Sequence, residues 1–160
     1  MILPPEPLIE GINDSKKLSE KKREALNEWI LSRAVRIGFG IADEAEIDRI
    51  NIRQATLAAM RQAVETAGAQ HVLVDAETIP SDIPQTKIIH GDAVSYLIGA
   101  ASIAAKVKRD AMMVELDKLY PQYGFARNKG YGTREHIEAI RKYGLCPCHR
   151  RSFTAHLVTP

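Results

Sequence analysis

The chain is poor in cysteine, in aromatics and in charge of one sign. Two cysteines in 160 residues, Cys146 and Cys148 around a single proline, cannot form the framework of a disulfide-stapled fold and point to a reducing, cytoplasmic setting. No stretch reaches the ~18 apolar residues of a membrane span, and MILPPEPL has neither the charged start nor the long apolar centre of a secretory signal. With 22 basic and 20 acidic side chains the net charge is only +2, so no nucleic-acid partner follows from bulk charge, and any such case must be local. The expectation is a soluble, monomeric protein with no membrane partner, long enough to bury a core unaided.

The patterning is mixed α/β. Ser19 is placed to cap a helix carrying Ala25, Leu26, Trp29, Ile30 and Ala34, with Glu20 at its positive end. Val35, Ile37, Phe39 and Ile41 alternate with smaller or polar residues, which predicts a strand with one buried face. Asn51 is placed to open a second helix, ended by Gly68. His71 to Asp75 and Thr86 to Ile89 predict two short strands. A long helix is predicted over Ser95 to Leu119, stopped by Pro121 and small-sided from Gly99 to Ala105, so that a neighbour can approach it closely. A last helix is predicted over Thr133 to Lys142, ending at Gly144. There are too few strands for so many helices.

The chemistry-bearing residues follow this order. Asp75 leaves a buried strand at its C-terminal edge, where open α/β sheets place ligands, and Asp92 repeats the arrangement after the next strand. Either alone reads as a turn or capping aspartate; as neighbours they offer hard oxygen ligands suited to Mg²⁺ or Mn²⁺. Asp110, four residues after Lys106, reads as a surface ion-pair partner, whereas Lys106 follows the small stretch and could approach phosphate. Asn128 to Thr133 is a two-glycine turn into a helix, suited to an anion, with Tyr131 free to stack on a sugar or base. From Arg127 to Arg151 seven Lys/Arg face two acids, a local excess that includes Lys129, Arg150 and Arg151. Cys146, Cys148 and His149, with His156, resemble half of a soft-metal site; the second half is missing, which argues against zinc.

Taken together these segments closely resemble type 2 ribonuclease H (ribonuclease HII). The motifs are GINDSKKLS from Gly11, EIDRINI from Glu46, Val74-Asp75, GDAVS from Gly91, AASIAAKVKRD from Ala100, NKGYGT from Asn128 and HRRSF from His149. The resemblance spans almost the whole chain. It implies a ribonuclease H-like mixed sheet with flanking helices over residues 1–119 and a C-terminal, substrate-binding helical region over 120–160, in a single domain. It further implies an endonuclease that cleaves RNA in RNA–DNA hybrids and nicks duplex DNA at embedded ribonucleotides through two Mg²⁺ or Mn²⁺ ions held by four acids. Asp75 and Asp92 match the third and fourth acids and Lys106 a lysine beside them. Tyr131 matches the tyrosine that packs on the ribose, with Asn51, Lys129, Arg150 and Arg151 as further substrate contacts.

Two departures stand out. The family's first strand carries Asp-Glu-Ala-Gly-Arg-Gly, with the first two acids and the loop that reads the ribose 2′-hydroxyl. That segment is not in this chain, which predicts a sheet lacking its first strand and most of its second. The expectation is therefore an N-terminally truncated domain, with a form that binds without cutting, or an inert fragment, as alternatives. Asp43-Glu44-Ala45-Glu46 has three matching letters but belongs to the EIDRINI region. The second departure is Ala76, where the family usually has glycine.

Overall fold

Ser19 starts the first helix as its residue type dictates: its hydroxyl accepts from the Lys22 amide at 3.4 Å, opening α1 (Glu20–Arg33). In this computed structural model, which describes residues 1–158, two compact units form. One comprises Met1–Ala42 and Arg53–Val107, the other Asp43–Ile52 and the chain from Lys108 onward.

In the first unit α1 buries Leu26 and Ile30 with Leu3, Ile9, Ala100 and Ile103. Trp29 departs from the expected apolar stripe: it is 57 % exposed, and the Arg33 guanidinium lies 5.5 Å from its ring centroid. The strand expected over Val35 to Ile41 does not form. Only Arg36 pairs, in an isolated antiparallel bridge to Ile2, and Val35 and Ile41 are exposed. Alternation specifies an extended backbone, but a strand also needs a neighbour for its amides. Here the Ile41 amide donates instead to the Gln62 side chain at 3.0 Å. The segment lies on helix α2 (Glu44–Ala67), so closely that a Cβ on Gly40 would sit 1.7 Å from the Ala59 carbonyl oxygen.

β1 (Val72–Asp75) and β2 (Gln85–Ile88) pair in parallel, with Val72 opposite Gln85 and Asp75 opposite Ile88. The connection is only a proline-punctuated loop, clamped by Gln85, whose side-chain amide exchanges hydrogen bonds with the backbone of Ile79 at 2.8 and 2.9 Å. A short turn, α3 (Gly91–Val94), leads into α4 (Tyr96–Leu119). The small stretch of α4 receives the expected close neighbour, the loop of the GINDS motif. A Cβ on Gly99 would lie 3.1 Å from Ile12, and the Ser102 and Ser15 hydroxyls are 2.9 Å apart.

In the second unit, Asp43 caps the start of α2 by accepting from the Glu46 amide at 2.7 Å. The Asp-Glu-Ala-Glu stretch is thus a helix start. Asn51 stands where the sequence places a helix start: at φ 66°, ψ 161° it is a non-helical residue at a kink between two helical runs that the bounds of α2 join. α5 (Phe125–Asn128), α6 (Arg134–Tyr143) and α7 (Arg151–Thr154) complete the fold. Thr133 caps α6, accepting from the His136 amide at 3.3 Å. Their core is Tyr123, Phe125, Ile140 and Cys146.

Candidate active site and nucleic-acid interface

The parallel pairing of β1 and β2 sends both strand exits to one edge, and the two sequence-predicted acids follow them. Asp75 is the last residue of β1, and its Oδ1 accepts from the Gly91 amide at 2.8 Å. Asp92 is the next residue, in the first turn of α3. Both are half-buried. Gly91 is the hinge of this arrangement, because a Cβ there would stand 2.5 Å from Ile98 and 3.3 Å from Asp75 Oδ1. Two backbone positions nearby are held with positive φ without being glycine: Ala76 at 55° and His90 at 55°. As donors, Asp75 and Asp92 are hard oxygen ligands and fit a divalent cation of the Mg²⁺ or Mn²⁺ type in kind. Lys106, on α4 of the same unit, is half-buried. Asp110 does take part in an ion pair, with Arg109 Nη1 3.9 Å from its Oδ1, but it is buried, at 8 % exposure, rather than on the surface as expected.

The NKGYGT motif is a turn locked by one buried side chain. Asn128 donates to the Tyr123 carbonyl at 2.7 Å and accepts from the Gly130 amide at 2.8 Å, which holds Lys129 and Gly130 at positive φ. Tyr131 is thereby left 60 % exposed, with the Arg109 guanidinium 5.6 Å from its ring centroid. A planar ring so presented can stack on a sugar or base. Lys129 turns back, its ammonium donating to the Ala126 carbonyl at 2.7 Å.

The HRRSF and EIDRINI motifs meet although a hundred residues apart. Asp48 accepts from the Arg151 amide at 2.7 Å and the Ser152 amide at 3.0 Å, and also from the Ser152 hydroxyl. That hydroxyl above all, with the two amides, holds the Asp48 carboxyl below the usual carboxylate range. Residues 47–52 with Ser152 and Phe153 line a cleft of about 440 Å³. Asn51 is on its wall, Arg151 is exposed, and Arg150 covers the Phe153 ring at 4.1 Å. Asp48 went unremarked in the sequence because its role depends on a partner no local pattern identifies.

The cysteine-histidine segment is also assembled. Cys146 Sγ lies 2.8 Å from Cys148 Sγ and 2.9 Å from His149 Nδ1, while His149 Nε2 is 3.1 Å from His136 Nε2. His136 Nδ1 in turn is 2.9 Å from the Tyr131 carbonyl oxygen. Burial, and secondly His136, lower the His149 pKa. Burial pushes the Cys148 thiol up to about 12, reinforced by its hydrogen bond with Cys146.

The chain is similar to known proteins over most of its length. The family model described as Ribonuclease HII matches residues 8–156. A ribonuclease HII of Caldanaerobacter subterraneus is 54% identical over 99% of this chain and 67% of its own length. One of Desulfitobacterium hafniense is 56% identical over 95% of this chain and 60% of its own. The chain thus spans roughly three-fifths to two-thirds of these relatives. Among solved structures, the ribonuclease H2 of Pyrococcus horikoshii superposes with a TM-score of 0.71 at 22% identity, over 92% of this chain and 80% of that one. The Archaeoglobus fulgidus RNase HII, solved as a complex with PCNA, gives 0.73 at 21%, over 94% and 82%. The fold is therefore the α/β, ribonuclease H-like one that the motifs implied. With most of its length matched by the family pattern and more than half of its residues shared with those relatives, the chain belongs to the ribonuclease HII family.

Proposed function

We propose that this chain carries the second half of the acidic centre and the nucleic-acid contacts of an endonuclease. The enzyme would cleave the RNA strand of RNA–DNA hybrids and nick duplex DNA at embedded ribonucleotides. The observation that supports this best is the succession Asp75, Gly91 amide, Asp92 at one edge of a parallel strand pair. Asp75 and Asp92 would hold the divalent ions, with the Gly91 amide fixing one oxygen of Asp75 and hence the plane of its carboxylate. When bound, Mg²⁺ or Mn²⁺ would supply Lewis-acid stabilisation of phosphate charge and ease the deprotonation of the water that attacks phosphorus. Lys106 contributes a positive charge toward the phosphate. Tyr131 packs on the ribose at the RNA–DNA junction, while Asn51, Lys129, Arg150 and Arg151 bind along the backbone, a contribution that weakens with salt. The products are 3′-hydroxyl and 5′-phosphate ends.

The test is cleavage of a duplex bearing one ribonucleotide, with Mg²⁺ or Mn²⁺, in protein furnished with the family's complete set of acids. Asp75→Asn keeps the oxygen that accepts from Gly91 and removes the charge, so it and Asp92→Asn should each abolish cleavage while duplex binding persists. Cleavage at the parent rate by either variant would refute the assignment. Salt-dependent binding by this chain with no metal-dependent cutting would instead favour the binding-only form, to which the exposure of Tyr131 and Arg151 lends support.

A further inference from the structure

We propose that Cys146, Cys148 and His149 form a site for a thiophilic d¹⁰ cation, Zn²⁺ or Cu⁺. Their ligand atoms all lie within 4.8 Å of one another, and two of the three residues, Cys146 and His149, are buried at 9 % and 6 % exposure. The 2.8 Å between the sulfurs exceeds a disulfide bond of ~2.05 Å. It falls short of the roughly 3.7 Å between two thiolates on one zinc at ~2.3 Å each. Receiving the ion requires the pair to open by about 1 Å, which Cys148 can supply because it alone is half-exposed.

The imidazole is already in the tautomer that a ligand needs. A carbonyl can only accept, so His136 Nδ1 carries the proton that it donates to Tyr131 O at 2.9 Å. His136 Nε2 is then an acceptor, and His149 donates to it from Nε2 at 3.1 Å. The Nδ1 lone pair of His149 therefore faces Cys146, accepting from its amide at 3.0 Å with its sulfur 2.9 Å away, so an ion bound at Nδ1 takes the place of that amide hydrogen bond. Ligating histidines characteristically have their second nitrogen fixed in this way. The donor set, two sulfurs and one nitrogen, is soft where the Asp75 and Asp92 oxygens are hard, so the two sites select different ions. Three protein ligands with an exposed side at Cys148 leave a fourth position to water for Zn²⁺, or a three-coordinate site for Cu⁺. The missing second half of the ligand set argues against zinc on sequence grounds; the imidazole tautomer fixed by His136 is what the sequence does not reveal.

The experiment titrates the reduced, metal-free full chain with Zn²⁺ and separately with Cu⁺, in excess Mg²⁺ and against a chromophoric chelator. Co²⁺ serves as a spectroscopic probe. One equivalent per chain is expected, with thiolate-to-cobalt charge-transfer absorption. Binding should vanish in Cys148→Ser, weaken ~10-fold or more in His136→Gln, and be unchanged in Asp75→Asn/Asp92→Asn. Cys148→Ser is the decisive variant, because the more buried Cys146 contributes to packing and its loss can unfold the region; circular dichroism verifies the fold of each protein. No saturable binding of either ion, undiminished binding in Cys148→Ser, or a Cys146–Cys148 disulfide persisting under reducing conditions would overturn the proposal.

Discussion

Ser152 donates to Asp48 through both its amide, at 3.0 Å, and its hydroxyl, and so joins segments 104 residues apart in sequence. The Arg151 amide adds a third hydrogen bond at 2.7 Å. One carboxylate therefore sets the start of α7 and, with it, the positions from which Arg150 and Arg151 extend. Asp48→Ala should release the Arg151 and Ser152 amides to fast hydrogen exchange and weaken duplex binding several-fold, without altering the exchange of β1. The Asp48 carboxyl is held below its ordinary value. A depressed folded pKa means that its contribution is present above the unfolded value of about 3.9 and is lost as pH falls through the lower folded one. Amide protection at Ser152 should accordingly persist at pH 4.5 and disappear only in stronger acid, as read by exchange across that range.

Ala76 follows the metal-ligand candidate Asp75 with φ at 55°. A side chain in the left-handed region costs about 1 kcal/mol that glycine avoids, partly offset by the greater unfolded-state entropy of glycine. Ala76→Gly should therefore raise the urea midpoint by an amount corresponding to less than ~1 kcal/mol with an unchanged m-value. A lower midpoint would show that the strain is absorbed elsewhere.

Asn128 is 8 % exposed and serves both the Tyr123 carbonyl and the Gly130 amide. Asn128→Ala leaves both groups without that partner, for a loss of about 2–3 kcal/mol in denaturant unfolding. It should also weaken binding to ribonucleotide-containing duplex more than Lys129→Ala, since it unlocks the turn that presents Tyr131. Equal effects of the two substitutions would count against that role.

His149 has its pKa lowered by burial, with His136 as the second cause. The unfolded chain therefore takes up a proton near pH 6.5 that the folded chain refuses until lower pH. Stability should be fully present above about pH 6.5 and fall as pH drops toward the folded value, with a slope bounded by ~1.4 kcal/mol per pH unit for one proton. Denaturant unfolding from pH 7.5 to 5 should show this slope, and His149→Gln should reduce it.

Local sequence determined the elements whose causes are local. Ser19 and Thr133 cap α1 and α6, Gly68 and Gly144 follow the ends of α2 and α6, Pro121 stops α4, and Val72–Asp75 is an apolar β-branched run. The positions of Asp75, Asp92 and Tyr131 were legible for the same reason, since each lies in a motif fixed by its own neighbours. What needed a distant partner was not legible. Val35 to Ile41 has a strand pattern but, among the described residues, no second strand pairs along it, and it lies on α2 instead, with Gly40 against Ala59. Asn51 marks the start of the second helical run within α2 as its residue type suggests, whereas the first run, capped by Asp43 eight residues earlier, was not visible in the pattern. Asp48 with Ser152, and His149 with His136 and Tyr131, exist only once the backbone brings them within hydrogen-bonding distance. Capping and strand propensity act over a few residues, whereas a carboxylate's partner or an imidazole's tautomer is fixed by groups that only folding places beside it.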